Sequence, residues 1–178
     1  PNGALYVAEG GSGGPGPCIP SPVPANGPRC YGETGAITRI LPDGSVKRVL
    51  TGLPSLVLGD GTVEGGVSDI AFFGAAGFVT IGWGGNPADR ASVGGKSALF
   101  GTLLQMAPSG KYKMLADIAA HELEFNDGGG NPDSNPYNTL AQPGRRIVVD
   151  PGANALVEVL ANGRTRTFAV PPRLPPVP

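Results

Sequence analysis

Three turns of one kind, LPDGS, APSGK and LANGR, recur along the 178 residues, and each sits inside the same pattern of apolar runs. ALYVAEGG leads to GAITRILPDGSVKRVL, FVTIGWGG to GTLLQMAPSGKYKML, and IVVDPGAN to ALVEVLANGRTRTF. Each copy reads as a short apolar strand, a corner, a second strand of alternating character, a tight turn and a third strand. Gly44, Gly110 and Gly163 hold the same place in the three turns, where a hairpin needs positive φ and glycine adopts it without steric cost. Before the first turn, Ile37, Arg39 and Leu41 point one way and Thr38 and Ile40 the other. Leu103/Gln105 and Val157/Val159 fill equivalent places, so both faces of each unit are expected to pack.

A fourth, inner strand precedes two of the units: VSDIAFF, from Val67 to Phe73, and PYNTLA, from Pro136 to Ala141. For the first unit it would lie before Pro1, so the sequence is expected to open inside a unit. Four-stranded units at variable spacing, with loops of different length between the first two outer strands, point to an all-β chain of β-propeller type. A β-sandwich would account for the strands but not for the matched turns. The units span approximately 1–54, 67–118 and 135–170, and 171–178 reads as a Pro-rich linker or tail of polyproline character. Closed propellers need about four to eight units. Three therefore read as part of a ring whose remaining blades come from the same chain or from a second copy.

The 30 Gly and 20 Pro exceed a quarter of the residues, a level that in an aperiodic chain would indicate disorder. Here they alternate with apolar runs and read as turns between short strands. Thirteen Lys and Arg balance fourteen Asp and Glu, which gives no electrostatic basis for a nucleic-acid or anionic-membrane partner. No run approaches the roughly 18 apolar residues of a transmembrane helix. The sequence lacks the charged start and apolar centre of a signal peptide, yet it begins without Met and inside a strand pattern, so processing of an upstream segment is expected. Cys18 and Cys30 bracket the loop CIPSPVPANGPRC. Paired, they would add roughly 3 kcal/mol by restricting the unfolded chain and would indicate an oxidising, exported setting; the alternative is two unpaired thiols.

Several segments carry candidate site residues. EFNDGGGNPDSNPYN gathers Asp127, Asn131, Asp133, Asn135 and Asn138, oxygen donors of the kind calcium takes, though without EF-hand spacing and in residue types that also dominate ordinary turns. Asn135 and Tyr137 lead into an inner strand and are candidate ligand contacts at a channel mouth, the alternative being that Tyr137 packs on a neighbouring unit. Asp69, at the start of the other inner strand, joins Asn135 as a candidate metal ligand. Trp83 and Asn86, followed by Asp89 and Arg90, form a Gly-rich corner. An exposed aromatic there would make a ligand platform, and otherwise Trp83 covers the end of a unit. The phosphate-loop pattern is absent. His121, the one histidine, lies in DIAAHELEF, a stretch of short helical character. With no partner serine or cysteine in a recognisable motif, it is expected to have a surface or capping role.

The stretches GALYVAEGG, GPCIP with CYGETGAITRI, TGLPSL, VTIGWGGNPADR, LFGTLLQMAPSGK, DSNPYNTLAQPG and VVDPGANALVEV cover nearly the whole chain. Together they resemble the ScyD/ScyE family, secreted or periplasmic proteins built on an NHL-like six-bladed propeller. The third unit also resembles the NHL repeat itself, in which an acid and an Asn straddle the corner, here Asp150 and Asn154; the first unit keeps the acid as Glu9 and the second has Ile81. The resemblance implies a fold and an exported location but little chemistry. The resulting expectation is an exported scaffold that binds a small molecule or protein at one face of a ring, with calcium as a possible cofactor. Its rivals are a metal-dependent hydrolase or lactonase working in the channel and a quinoprotein-type sugar dehydrogenase, for which this chain offers no convincing base or cationic cofactor contacts.

Overall fold

The three recurrent turns fold alike in the computed structural model, which describes residues 3–172. Gly44, Gly110 and Gly163 donate their N–H to Leu41, Ala107 and Leu160 at 2.9 Å each, and those three residues donate back to Ser45, Lys111 and Arg164. The glycines have φ of +83°, +83° and +86°. Asp43 and Asn162 accept the amide two residues on, which is how short polar side chains stabilise a turn.

In chain order the strands begin with β1 (Leu5–Glu9), β2 (Cys18–Pro20), β3 (Pro28–Ile40), β4 (Val46–Leu58), β5 (Val63–Phe73), β6 (Ala76–Gly82), β7 (Thr102–Met106) and β8 (Tyr112–Asp117). The α-helix α1 (Ile118–Phe125) follows, and then β9 (Asn138–Gln142), β10 (Arg145–Asp150), β11 (Ala155–Leu160) and β12 (Thr165–Ala169). The chain is all-β and antiparallel. One sheet runs β1-β3-β4-β5-β6-β7-β8 with β2 added on β3, and the other runs β12-β11-β10-β9. Neither closes on itself. The internal repeat is visible in the registers: Glu9 faces Ala36, Ile81 faces Thr102 and Asp150 faces Ala155, while Val7, Val79 and Val148 face Thr38, Leu104 and Val157.

One departure from the sequence reading concerns the segment after the first unit. β4 runs on to Leu58 and turns directly into β5, so the first two units share a sheet. The reason is a fourth use of the same turn: Leu58 and Thr62 pair as Leu41 and Ser45 do, Gly61 has φ +90°, and Asp60 accepts the Thr62 amide at 2.8 Å. The insertion of 10–35 is likewise structured, with β2 and the first half of β3 joined by the Cys18–Cys30 disulfide.

Strand alternation gives each unit two apolar faces, and these stack in order. Val79, Ile81, Leu104 and Met106 on one face of β6–β7 pack with Ile37 and Leu50 of the first unit. Phe78 and Leu103 on the opposite face pack with Val148, Val157 and Val159 of the third, where the Arg146 guanidinium lies 3.7 Å above the Phe78 ring. The turn glycines seal each junction. A Cβ at Gly110 would stand 2.1 Å from the Val49 carbonyl and one at Gly163 would stand 2.3 Å from that of Leu115. Val49 and Leu115 hold equivalent places in the outer strands β4 and β8. Gly44, the matching residue of the first unit, meets nothing within 4 Å. The Pro-rich tail expected at 171–178 lies mostly outside the described residues.

Candidate functional site

At the corner end of the stack, opposite the recurrent turns, Gly10, Gly66, Gly82, Ser68, Asn135 and Tyr137 line a cleft of about 250 Å³ that also touches Glu64. Close backbone approach makes the cleft. A Cβ on Gly82 would lie 2.5 Å from Asn135 Oδ1, so only glycine leaves room for that amide.

Asn135 is held by a buried acid. Asp150 accepts the Ser134 hydroxyl at 2.7 Å on Oδ2, and on Oδ1 it accepts the Asn135 amide at 2.6 Å and the Ala153 amide at 3.2 Å. Burial pushes the Asp150 carboxyl up from its ordinary value, and these three donors oppose the shift by stabilising the anion. The same loop is tied to the second unit. Gly84 donates to the Ser134 carbonyl, Ser134 donates to that of Gly85, and Asp133 Oδ1 accepts the Gly85 amide at 2.8 Å. Ser68 donates to the Pro136 carbonyl at 3.0 Å. Asn135 and Tyr137 therefore face the cleft from a backbone pinned on both sides, with the Ser68 oxygen left as an acceptor, an arrangement suited to hydrogen-bonding a small polar group.

The sequence-derived residues divide into three sets. Asn135 and Tyr137 share this cleft. Asp69 does not line it: its Oδ2 accepts the Thr139 amide at 2.8 Å and so joins β5 to β9. Trp83 and Asn86 belong to a second cleft of about 420 Å³ beneath the disulfide loop, which Asp89 also lines. Of the two readings of Trp83, the exposed platform is excluded and the covering role fits, since the residue is 1 % exposed. Phe100 packs at 5.3 Å, the Arg29 guanidinium lies 4.8 Å over the ring, and the indole N–H donates to the Asn86 carbonyl. Asn86 caps the short 3-10 helix over Pro87–Val93 by accepting the Ala88 amide, and Arg90 pairs with Asp117.

Sequence reading missed Arg29. It is 3 % exposed, donates to the Trp83 carbonyl at 2.8 Å and holds its Nε 3.9 Å from Glu64 Oε2, and neither of those two atoms has a hydrogen-bond partner. Desolvation lowers the Arg29 pKa, while Glu64 and Asp133 act in the opposite direction. The one available signal was its place in β3, two residues before the buried Tyr31 on the same face.

Part of the Asn- and Asp-rich segment is tied up within the fold. Asp127 accepts from Thr167 at 2.5 Å and lies 3.2 Å from His121 Nε2, and Asn126 donates to the Gly130 carbonyl. Among the described residues, no group of three or more His, Cys, Asp or Glu side chains is placed to hold a metal ion. His121 is corrected from a surface or capping residue to a buried one, between Thr165 at 3.1 Å and Asp127, with Phe125 packed at 4.6 Å. Its neighbour Glu122, also missed, is 2 % exposed with an unpartnered Oε2. Burial, with Asp150, Asp127 and Asp133 adding repulsion, pushes it up to about 6.

The disulfide is present, and no described helix is long and apolar enough to cross a membrane. Comparison with protein-family models, curated proteins and solved structures finds no match.

Proposed function

We propose that the chain forms part of an NHL-like β-propeller of the ScyD/ScyE type and acts as an exported binding scaffold, with the corner end as its ligand-facing side. The observation that carries this reading is the repeated junction. The first unit packs on the second as the second packs on the third, through equivalent strand faces and equivalent turn glycines. Among the described residues, that rule leaves one face of each terminal unit uncovered. Leu5 and Val7 of the first are 67 % and 42 % exposed, and Phe168 of the third is 48 % exposed beside exposed Leu140 and Val149. By the same rule these faces are the two halves of one further junction, which other units of the same kind complete, from the same polypeptide or from a second copy.

The functional half of the reading rests on the corner end. Long loops, 83–101 and 126–137, lie there, and Asn135, Tyr137 and Ser68 share one cleft beside them. The disulfide supports an exported setting. Negative-stain imaging of the purified protein tests the architecture: the expected particle is a ring of about six units with a central hole, and open arcs or featureless compact particles would refute it.

A further inference from the structure

The turn end of the stack holds a different kind of recess. Met106, Ala107, Pro108, Ala76 and Tyr112 wall a groove of about 470 Å³, with Lys111 and Lys113 on its rim. A second cavity of about 190 Å³ adjoins it through Ala75, Met106 and Pro108, and is lined by Tyr6, Phe72 and Arg39 among others. Among the described residues lining the two recesses there is no carboxylate. Arg39, Lys111 and Lys113 form no ion pair with a described residue, and Arg39 Nε is buried without a hydrogen-bond partner. This concentration of unpaired cations stands out in a chain whose net charge is −1. The clefts at the corner end, by contrast, contain Glu64 and Asp89.

Arg39 is not an obligatory feature of the repeat. The register places Gln105 and Glu158 at the same position in the other two units. In the third unit the acid is covered by Arg145 and Arg166, whereas at the first junction the cation faces an apolar cavity with no acid to meet it. An uncompensated guanidinium N–H in an apolar recess is unfavourable unless an acceptor arrives, and a guanidinium binds a carboxylate through charge-assisted hydrogen bonds.

We propose that this paired recess binds a free small molecule with an apolar body and a single carboxylate, such as a medium-chain fatty acid. The apolar part lies along Met106, Ala107, Pro108 and Tyr112, a surface in which the flexible Met adapts to the ligand's shape. The carboxylate meets Arg39, with Lys111 and Lys113 adding longer-range attraction that salt screens. The site lies within the first two units and does not depend on ring closure.

The test is calorimetric titration of the intact chain with decanoate, decanol and decyltrimethylammonium, repeated with three variants. Decanoate is expected to bind at least tenfold more tightly than either control. Arg39→Gln, a residue the second unit already carries at that position, is expected to weaken decanoate about tenfold and leave decanol unchanged. Lys111→Gln with Lys113→Gln is expected to weaken decanoate about threefold. Ala107→Trp fills the groove from an exposed turn position that Leu41 and Leu160 occupy in the other units, and it is expected to abolish binding of all three. No decanoate binding at millimolar concentration, equal binding of anion and cation, or decanoate binding that survives Ala107→Trp would overturn the proposal. The last outcome would place the ligand on the uncovered end faces instead.

Discussion

Replacing Glu122 by Gln should stabilise the fold at neutral pH and leave it nearly unchanged in acid. The carboxyl is buried on α1 with Asp127, Asp133 and Asp150 around it, and burial lifts it from 4.5 to about 6. Because the folded value lies above the unfolded one, the native state binds the extra proton. The resulting stabilisation is fully present below about pH 4.5 and is lost as pH rises through about 6. A rise of that size corresponds to about 2 kcal/mol, and partial solvation of the adjoining loop reduces the expected effect to about 1 kcal/mol. Gln keeps the shape and removes the charge, so at pH 7.5 the variant should gain that amount. With a urea m-value of about 2 kcal/mol/M, the midpoint should move up by about 0.5 M. Trp83, the single tryptophan and nearly fully buried, reports unfolding by fluorescence. Measuring both proteins at pH 4 and pH 7.5 cancels contributions from the other acids. A variant less stable at pH 7.5, or one equally stabilised at both pH values, would refute the reasoning.

Other consequences follow from the turns, the corner and the disulfide. Gly110→Ala and Gly163→Ala combine a left-handed backbone with a clash on a neighbouring carbonyl. Each should cost about 3 kcal/mol or more by urea unfolding, whereas Gly44→Ala meets open space and should cost only about 1 kcal/mol. Asp150→Ala strands three donors, two of them in buried bonds, and should cost about 3 kcal/mol, with faster hydrogen exchange at the Asn135 and Ala153 amides. Reducing Cys18–Cys30 should cost roughly 3 kcal/mol, measured as the difference between oxidised and reduced unfolding curves.

What could be read from the residues was set by how local the chemistry is. Each turn rests on a Gly preceded by a short polar residue, Asp, Ser or Asn, so LPDGS, APSGK and LANGR show their geometry directly, and strand alternation then points to the registers. The turn at LGDGT carries the same signature, but it lies between units rather than within one, and the continuity of β4 with β5 went unseen. The corner acid Asp150 was visible in the DPGAN pattern, though its grip on Ser134 and Asn135 was not. The glycines that flank Trp83 left both an exposed and a covering role open. Its burial depends on Arg29, 54 residues away, and on Phe100, which no local pattern reveals. His121 was misplaced for the same reason, since Thr165 lies 44 residues on. The paired recess at Arg39 depends on the stacking of two units and had no local signature at all.

The central claim is that the uncovered faces of the first and third units are complementary halves of one repeated junction. Light scattering after size-exclusion chromatography of this 178-residue chain tests it most directly, alongside the variants Val7→Asp and Phe168→Asp. The parent chain should elute with a mass of two or more copies, and either variant alone should reduce it to one, because each removes one half of the same contact. A parent chain that stays monomeric at about 100 μM, well above the micromolar range of weak specific association, would contradict the claim, as would association that survives both substitutions.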